Sequence, residues 1–219
     1  MRGIILLAVL ALFLRGALAQ QGPERIEKPG VKVGDTWIYN TLNGQNGVLE
    51  YASLNVIRKL DDKEIRMESS NLDGSNVSRI LRTPGFNLVR LDAPTFTRTA
   101  SPYYPNYAFP LRIGKTWKSS VVLENSNQAG KQIRAELEGK VTGWESVTVP
   151  AGNFLALRIE LSGWYQGTSI EGNWMGRIEE VLWYAPEVRN AVRYEYRDTV
   201  DASSYSHEIH ELVRYWLAP

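Results

Sequence analysis

Apolar and polar residues alternate with a period of two along several stretches of this chain. The clearest run, 133–141, places the apolar or small residues Ile133, Ala135, Leu137, Gly139 and Val141 between Arg134, Glu136, Glu138 and Lys140. Similar alternation recurs within 155–161 and 190–198. Because successive side chains of a strand point to opposite faces, the pattern predicts β-strands with one buried face.

Turn-forming dipeptides separate these runs. Asn43-Gly44, Asn46-Gly47, Asp73-Gly74 and the tripeptide Pro150-Ala151-Gly152 are examples. Strands interrupted by such turns at intervals near ten residues indicate antiparallel neighbours joined in sequence order. We therefore predict an all-β fold, an antiparallel meander that forms a half-barrel or barrel.

A short motif occurs twice, at an offset of 80 residues. Val31–Trp37 reads VKVGDTW and Leu111–Trp117 reads LRIGKTW. The repeat predicts two related halves, about 31–93 and 111–217, that share one core. Glycine permits a turn with positive φ, and the tryptophan that follows is expected to plug the core. A pair of ligand-stacking indoles is the alternative.

The segment between the halves is rich in proline. Five of the ten prolines lie in 84–110. Since proline cannot donate a ladder hydrogen bond, a long central strand is not expected there. The connector is placed at 94–110.

The N-terminus has the pattern of a signal peptide. Arg2 is followed by an apolar run over 4–14 and by Ala17-Leu18-Ala19, a small-residue cleavage motif. The run is shorter than the roughly 20 residues needed to span a bilayer. We expect a signal peptide over 1–19 and a single β domain over 20–219, with an uncleaved anchor as the alternative. The chain contains no cysteine, so neither a lipid anchor on the mature chain nor a disulfide is expected.

Charge gives no reason to expect nucleic acid as a partner. Removal of 1–19 leaves 23 basic residues against 24 acidic ones. A near-neutral chain has no electrostatic preference for nucleic acid or an acidic membrane surface. We expect a periplasmic or secreted protein without a stable membrane anchor.

Aromatic residues supply the candidate ligand site. The loop 101–110 carries Tyr103, Tyr104 and Tyr107, and Trp174 lies on a predicted strand. Rigid rings offer contact area at low entropic cost, so these four residues are predicted to bind a small apolar or carbohydrate ligand. A loop that merely covers the open end of a barrel is the alternative.

Catalytic patterns are absent from the sequence. It has no Gly-x-Ser-x-Gly elbow, phosphate-binding loop or dinucleotide fingerprint. His207 and His210 suggest no third metal ligand. The adjacent carboxylates Glu179 and Glu180 are expected to point apart and to face solvent. We predict no catalytic residue, metal or cofactor, although a glycosidase pair from distant strands stays open.

Three motifs of the second half resemble a family of uncharacterised exported β-rich bacterial proteins. They are Phe109–Trp117 (FPLRIGKTW), Val147–Phe154 (VTVPAGNF), and Leu182–Pro186 (LWYAP) with Ala191–Glu195 (AVRYE). The resemblance implies export and a β fold, and it brings no established activity. It also favours a closing strand over 201–216, where spacing alone favours a helix.

The leading functional hypothesis is a non-enzymatic binding module for an apolar or sugar-like ligand. An assembly or interaction factor of the cell envelope is the second hypothesis, and an exposed apolar patch would favour it. A carbohydrate hydrolase is the third, and it requires two convergent carboxylates beside a cleft.

Overall fold

The computed structural model describes residues 22–127, 131–170, 172–200 and 203–219. The expected signal peptide, 1–19, lies outside these residues. Within them the chain forms twelve strands and one 3-10 turn. The strands are β1 (Thr36–Asn43), β2 (Leu49–Leu60), β3 (Ile65–Asn71), β4 (Ser78–Arg82), β5 (Leu88–Asp92), β6 (Thr97–Tyr104), β7 (Thr116–Asn125), β8 (Gln132–Val149), β9 (Gly152–Ser169), β10 (Gly172–Ala185), β11 (Asn190–Val200) and β12 (Ser203–Trp216). The 3-10 turn, Pro186–Val188, joins β10 to β11.

The strands form a closed antiparallel barrel. Each strand pairs with its neighbours in sequence, and β1 pairs with β12 to close the sheet. The predicted all-β meander is confirmed, in its fully closed form. The segment of uncertain type is strand β12, which is hydrogen-bonded on both sides, to β11 and to β1. The hydrogen bonds along both edges of β12 hold it as a strand, although its apolar residues are spaced as in a helix.

The repeated motif forms the same turn in both halves. Gly34 and Gly114 have φ of 97° and 79°, which a glycine adopts without strain. Gly34 N donates to Ile57 O, and Gly114 N donates to Val141 O, both at 2.9 Å. Each turn thereby fixes the start of one strand, β1 or β7, against the strand that follows it.

The tryptophans after these turns point into the barrel. Trp37 is fully buried and donates from Nε1 to the carbonyl of Val188 at 2.8 Å. Trp117 is half-buried and donates from Nε1 to the carbonyl of Pro105 at 2.9 Å. Each indole therefore packs into the core and ties a connecting segment to the barrel.

The proline-rich connector contributes one strand as well as a loop. Strand β6 lies inside 94–110, and its pairing with β7 runs only from Arg98 to Ser101. The ladder ends where Pro102 lacks an N–H. The loop that follows carries Tyr107 and Leu111, both buried, over one end of the barrel.

The core has two packed regions. One lies at the end of the barrel that this loop covers, which we call the closed end. It includes Ile57, Ile65, Phe86, Leu111, Leu157 and Val192. The other, which we call the second-half core, comprises Ala100, Val121, Ala135, Leu137, Leu161, Tyr165 and Ile178. Within the described ranges, no helix has the length and hydropathy needed to cross a membrane.

Candidate binding cavity

The interior of the barrel is not completely filled. An open cavity of about 760 Å³ lies mainly against the inner face of the first half. Its exposed lining residues Tyr51, Asn76 and Arg98 mark a mouth, whereas the buried residues Phe86 and Tyr107 form its floor. Cavities of roughly 300–1,000 Å³ are typical of small-molecule sites.

One wall of the cavity is made of small polar side chains. Ser53 and Asn55 of β2 lie directly across from Asn71 and Ser69 of β3. The two residues of β2 are in phase with the buried Ile57, and the two of β3 are in phase with the buried Met67. All four side chains therefore face inward. Short hydroxyl and amide side chains do not reach across the barrel, and this leaves the volume open.

The far wall comes from β10 and β11 and is mostly aromatic and aliphatic. Ile178, Leu182, Tyr194 and Tyr196 line it. The cavity therefore has one hydrogen-bonding wall and one apolar wall, an arrangement that suits an amphipathic molecule.

A buried carboxyl group interrupts the apolar wall. Glu180 is 2% exposed. The Tyr104 hydroxyl donates to Glu180 Oε1, and Asn106 Nδ2 donates to Oε2 at 3.0 Å. Burial raises the pKa of Glu180 to about 7, against the opposing effect of these hydrogen bonds. The group therefore exchanges its proton near neutral pH and can either donate or accept a hydrogen bond from a ligand.

A guanidinium group lies at the floor of the cavity. Arg82, the last residue of β4, donates from Nη1 to the Phe86 carbonyl at 2.9 Å. Its Cζ lies 5.0 Å from the centroid of the Phe86 ring. Burial lowers the pKa of Arg82. The Nε atom is buried and has no hydrogen-bond partner among the described residues.

The two histidines lie on opposite faces of β12. His210 lines the cavity, with Nδ1 at 2.9 Å from Thr41 Oγ1 and Nε2 at 3.3 Å from Glu208. His207 instead contacts the carboxylate of Glu195 at 3.0 Å. In the part of the chain that the structure describes, no three His, Asp or Glu side chains are grouped as metal ligands.

Two of the four residues predicted to bind a ligand line the cavity. Tyr104 and Tyr107 do so, and Tyr107 is held by Asn87, whose side chain accepts from Tyr107 N at 2.8 Å and donates to Tyr107 O at 2.9 Å. Tyr103 is 36% exposed and is not part of the lining. Trp174 packs against the second-half core, with Lys131 Nζ 4.9 Å from its ring centroid. The structure thus brings Tyr104 and Tyr107 together and separates Tyr103 and Trp174 from them.

The expectation that Glu179 and Glu180 both face solvent is wrong for Glu180. The two point apart, as a strand requires, and Glu179 forms an outer ion pair with Arg177 at 2.8 Å. Glu180 is in phase with the buried residues Ile178 and Leu182, so it points inward. That shared phase is present in the sequence and could have identified it.

A second buried acid lies outside the cavity lining. Asp198 accepts from the Tyr165 hydroxyl at 2.9 Å and from the Tyr196 hydroxyl at 3.3 Å. Burial raises the pKa of Asp198. Among the described residues that line the cavity, Glu180 is the one carboxylate. Glycosidases generally place two carboxyl groups beside the bond that they cleave.

No family model and no curated protein sequence matches this chain. Solved structures do match. A candidate exported protein from Bacteroides fragilis, described as having a YmcC-like fold, superposes with a TM-score of 0.54 at 15% identity, covering 88% of this chain and 99% of that one. A candidate lipoprotein from Parabacteroides distasonis gives a TM-score of 0.51 at 14% identity, covering 87% of this chain and 99% of that one. The hypothetical lipoprotein YmcC of Escherichia coli gives 0.47 at 12% identity, with 85% of each chain covered.

These likenesses define the fold alone. The chain shares its architecture with a protein of YmcC-like fold, over almost the whole length of that protein. At this level of identity, the residues of the cavity must be interpreted from their own chemistry.

Proposed function

We propose that the protein is a non-enzymatic binding protein, exported to the cell envelope or secreted, that holds a small apolar or sugar-like ligand in its barrel. The observation that carries the proposal is the open cavity of about 760 Å³ with one polar and one apolar wall. The structural neighbours described as a candidate exported protein and a candidate lipoprotein support the location.

The chemistry of the walls supports a bound molecule. The hydroxyl and amide groups of Ser53, Asn55 and Ser69 can be satisfied by water or by ligand groups without rearrangement of the barrel. Tyr194 and Ile178 present apolar surface to the same space. An occupant that covers this surface gains about 25 cal/mol for each Å² of apolar area removed from water.

A neutral fluorescent probe tests the proposal. N-phenyl-1-naphthylamine should bind the chain saturably, with enhanced emission, because its rings fit an apolar wall. Replacing Ser69, which lines the cavity, by Phe should fill the space and weaken binding at least about tenfold, the effect of about 1.4 kcal/mol. Glu68→Phe is the matched control, because the neighbouring side chain forms an ion pair with Arg58 on the outer face.

Two results would contradict the proposal. One is the absence of saturable probe binding by the wild-type chain. The other is binding that Ser69→Phe and Glu68→Phe reduce equally, which would place the probe on the outer surface of the barrel instead of in its cavity.

An interaction factor of the cell envelope is the second candidate function. Trp164 and Met175 of the β9–β10 hairpin are 60% and 59% exposed, and Ile170 at its end is 91% exposed. Exposed apolar side chains grouped in this way are a feature of protein contacts. A photo-crosslinking residue at position 164, used in the producing cell, should give a discrete cross-linked protein only if this face contacts one.

A further inference from the structure

Arg82 is a half-buried cation without a counter-charge. No Asp or Glu of the described chain lies within 4.0 Å of its guanidinium; its hydrogen bond goes to the Phe86 carbonyl, and the buried Nε is unpartnered. Leaving a buried polar or charged group unpaired costs free energy, so such a group calls for an explanation.

Other half-buried arginines each form an ion pair with a carboxylate. Arg189 pairs with the buried Asp35 at 3.0 Å, Arg158 with Glu160 at 2.9 Å, and Arg193 with Glu211 at 3.3 Å. Arg158 and Arg193 also have a buried Nε atom without a hydrogen-bond partner among the described residues, so the difference lies in the carboxylate partner alone. Arg82 faces the cavity and has no such partner.

A second donor lies at the same floor. Tyr107 lines the cavity, its main chain is fixed by Asn87, and its hydroxyl has no hydrogen-bond partner in the described chain. Arg82 donates to the Phe86 carbonyl, and Tyr107 is hydrogen-bonded to the side chain of the next residue, Asn87, so both groups are held at the same turn. Two unpartnered donors thus converge on one part of the cavity.

We propose that the ligand is a monoanion with an apolar body, and that its carboxylate accepts hydrogen bonds from Arg82 and Tyr107 at the cavity floor. This inference rests on the proposed binding function and adds the chemical class of the ligand. One guanidinium matches one negative charge, and its planar set of donors suits a carboxylate. The body of the ligand would extend past Ile80 and Leu88 toward the mouth.

Other ionisable groups facing the cavity do not replace Arg82. Arg98 is exposed at the mouth and donates to Asn125 Oδ1 at 3.0 Å. His210 is engaged by Thr41 and Glu208. Glu180 lines the wall, but a carboxyl group is neutral or negative and does not attract an anion.

Displacement of N-phenyl-1-naphthylamine by two ligands of equal chain length tests the inference. Dodecanoate carries a carboxylate and 1-dodecanol does not, and both are used below the micellar range at pH 7. The wild-type chain should bind dodecanoate at least about tenfold more tightly than dodecanol, because hydrogen bonds to charged groups contribute about 1.5–3 kcal/mol. This comparison needs no variant.

Arg82→Gln should remove that preference. We expect a loss of about tenfold or more in dodecanoate affinity, with dodecanol affinity unchanged within about threefold, so the retained dodecanol binding also shows that the variant is folded. Arg82→Lys should retain part of the preference. Arg79→Gln, which removes an exposed arginine of the same strand that does not line the cavity, is the matched control and should change dodecanoate affinity less than about threefold.

The outcomes separate this inference from the binding function itself. If both compounds displace the probe but Arg82→Gln leaves the dodecanoate preference intact, or if the wild type shows no preference, the carboxylate site is wrong and the binding function stands. If the wild type does not bind the probe at all, both proposals fall.

Discussion

The two halves of the barrel begin with the same turn and then build different inner walls. In the second half, Leu137, Leu161 and Tyr165 interlock in a packed core. In the first half, the equivalent inner face of β2 and β3 carries Ser53 and Ser69, and the space in front of them is open. The strands differ too, with 18 residues in β8 and β9 against five in β4 and β5.

The difference separates the part of the barrel that stabilises it from the part available for binding. Long strands with large inward side chains bury enough surface to hold the sheet closed. The strands of the first half complete the closed sheet. Their inward-facing polar side chains leave part of the interior open. We expect stability to depend on the second half and the closed end, and ligand binding to depend on the first half.

Removal of the fully buried indole should have the largest effect. Trp37→Ala leaves a large void at the closed end and removes the hydrogen bond to Val188, so we expect a loss of about 3–5 kcal/mol in the free energy of unfolding. Trp117→Ala, at the equivalent but half-buried position, should cost less. Urea titrations measure both, and equal losses would show that the two turns are energetically equivalent.

A substitution on each inner wall tests the contrast directly. Leu161→Ala in the second-half core should lower the free energy of unfolding by about 2–5 kcal/mol, because the packed surroundings cannot collapse into the void. Ser69→Ala on the cavity wall should change it by less than about 0.5 kcal/mol. Urea midpoints provide the comparison; a loss above 1 kcal/mol for Ser69→Ala would mean that the first-half wall is packed after all.

Glu180 is the one carboxylate among the described residues that line the cavity, and its effect should depend on pH. The pKa is about 7 in the folded chain, against the ordinary value of 4.5. Between these values the folded chain holds a proton that the unfolded chain has released, so the free energy of unfolding falls as pH rises through this window. The full difference amounts to up to about 3 kcal/mol.

Glu180→Gln removes this titration and keeps the shape of the side chain. The difference in stability between Glu180→Gln and the wild type should therefore shift in favour of the variant from pH 5 to pH 8. Urea unfolding at the two pH values measures the shift. The assignment fails if the two chains show the same dependence on pH.

The strands were predictable because alternation is a local property. The run from Ile133 to Val141 lies within β8, and the alternating 190–198 segment lies within β11. The closing strand was harder, because one of its two partners, β1, lies far away in sequence, and the helical spacing of Leu212 and Trp216 gives no sign of that pairing.

The cavity was predictable only in part. Tyr104 and Tyr107 were accessible to sequence reasoning because they belong to an aromatic cluster. Arg82 and Ser69 were missed, since a polar residue in phase with apolar ones can face a filled core, a cavity or solvent. Which of these applies depends on the length of the side chains across the barrel, and that is known only once the ring is closed.

Native mass spectrometry of the gently purified chain, compared with Ser69→Phe, tests the central claim most directly. We predict that the wild type carries a discrete co-purifying mass of a few hundred daltons and that Ser69→Phe, with its cavity filled, does not. Detection of each protein only at its own ligand-free mass would contradict the account, because the open first half would then have no bound ligand to explain it.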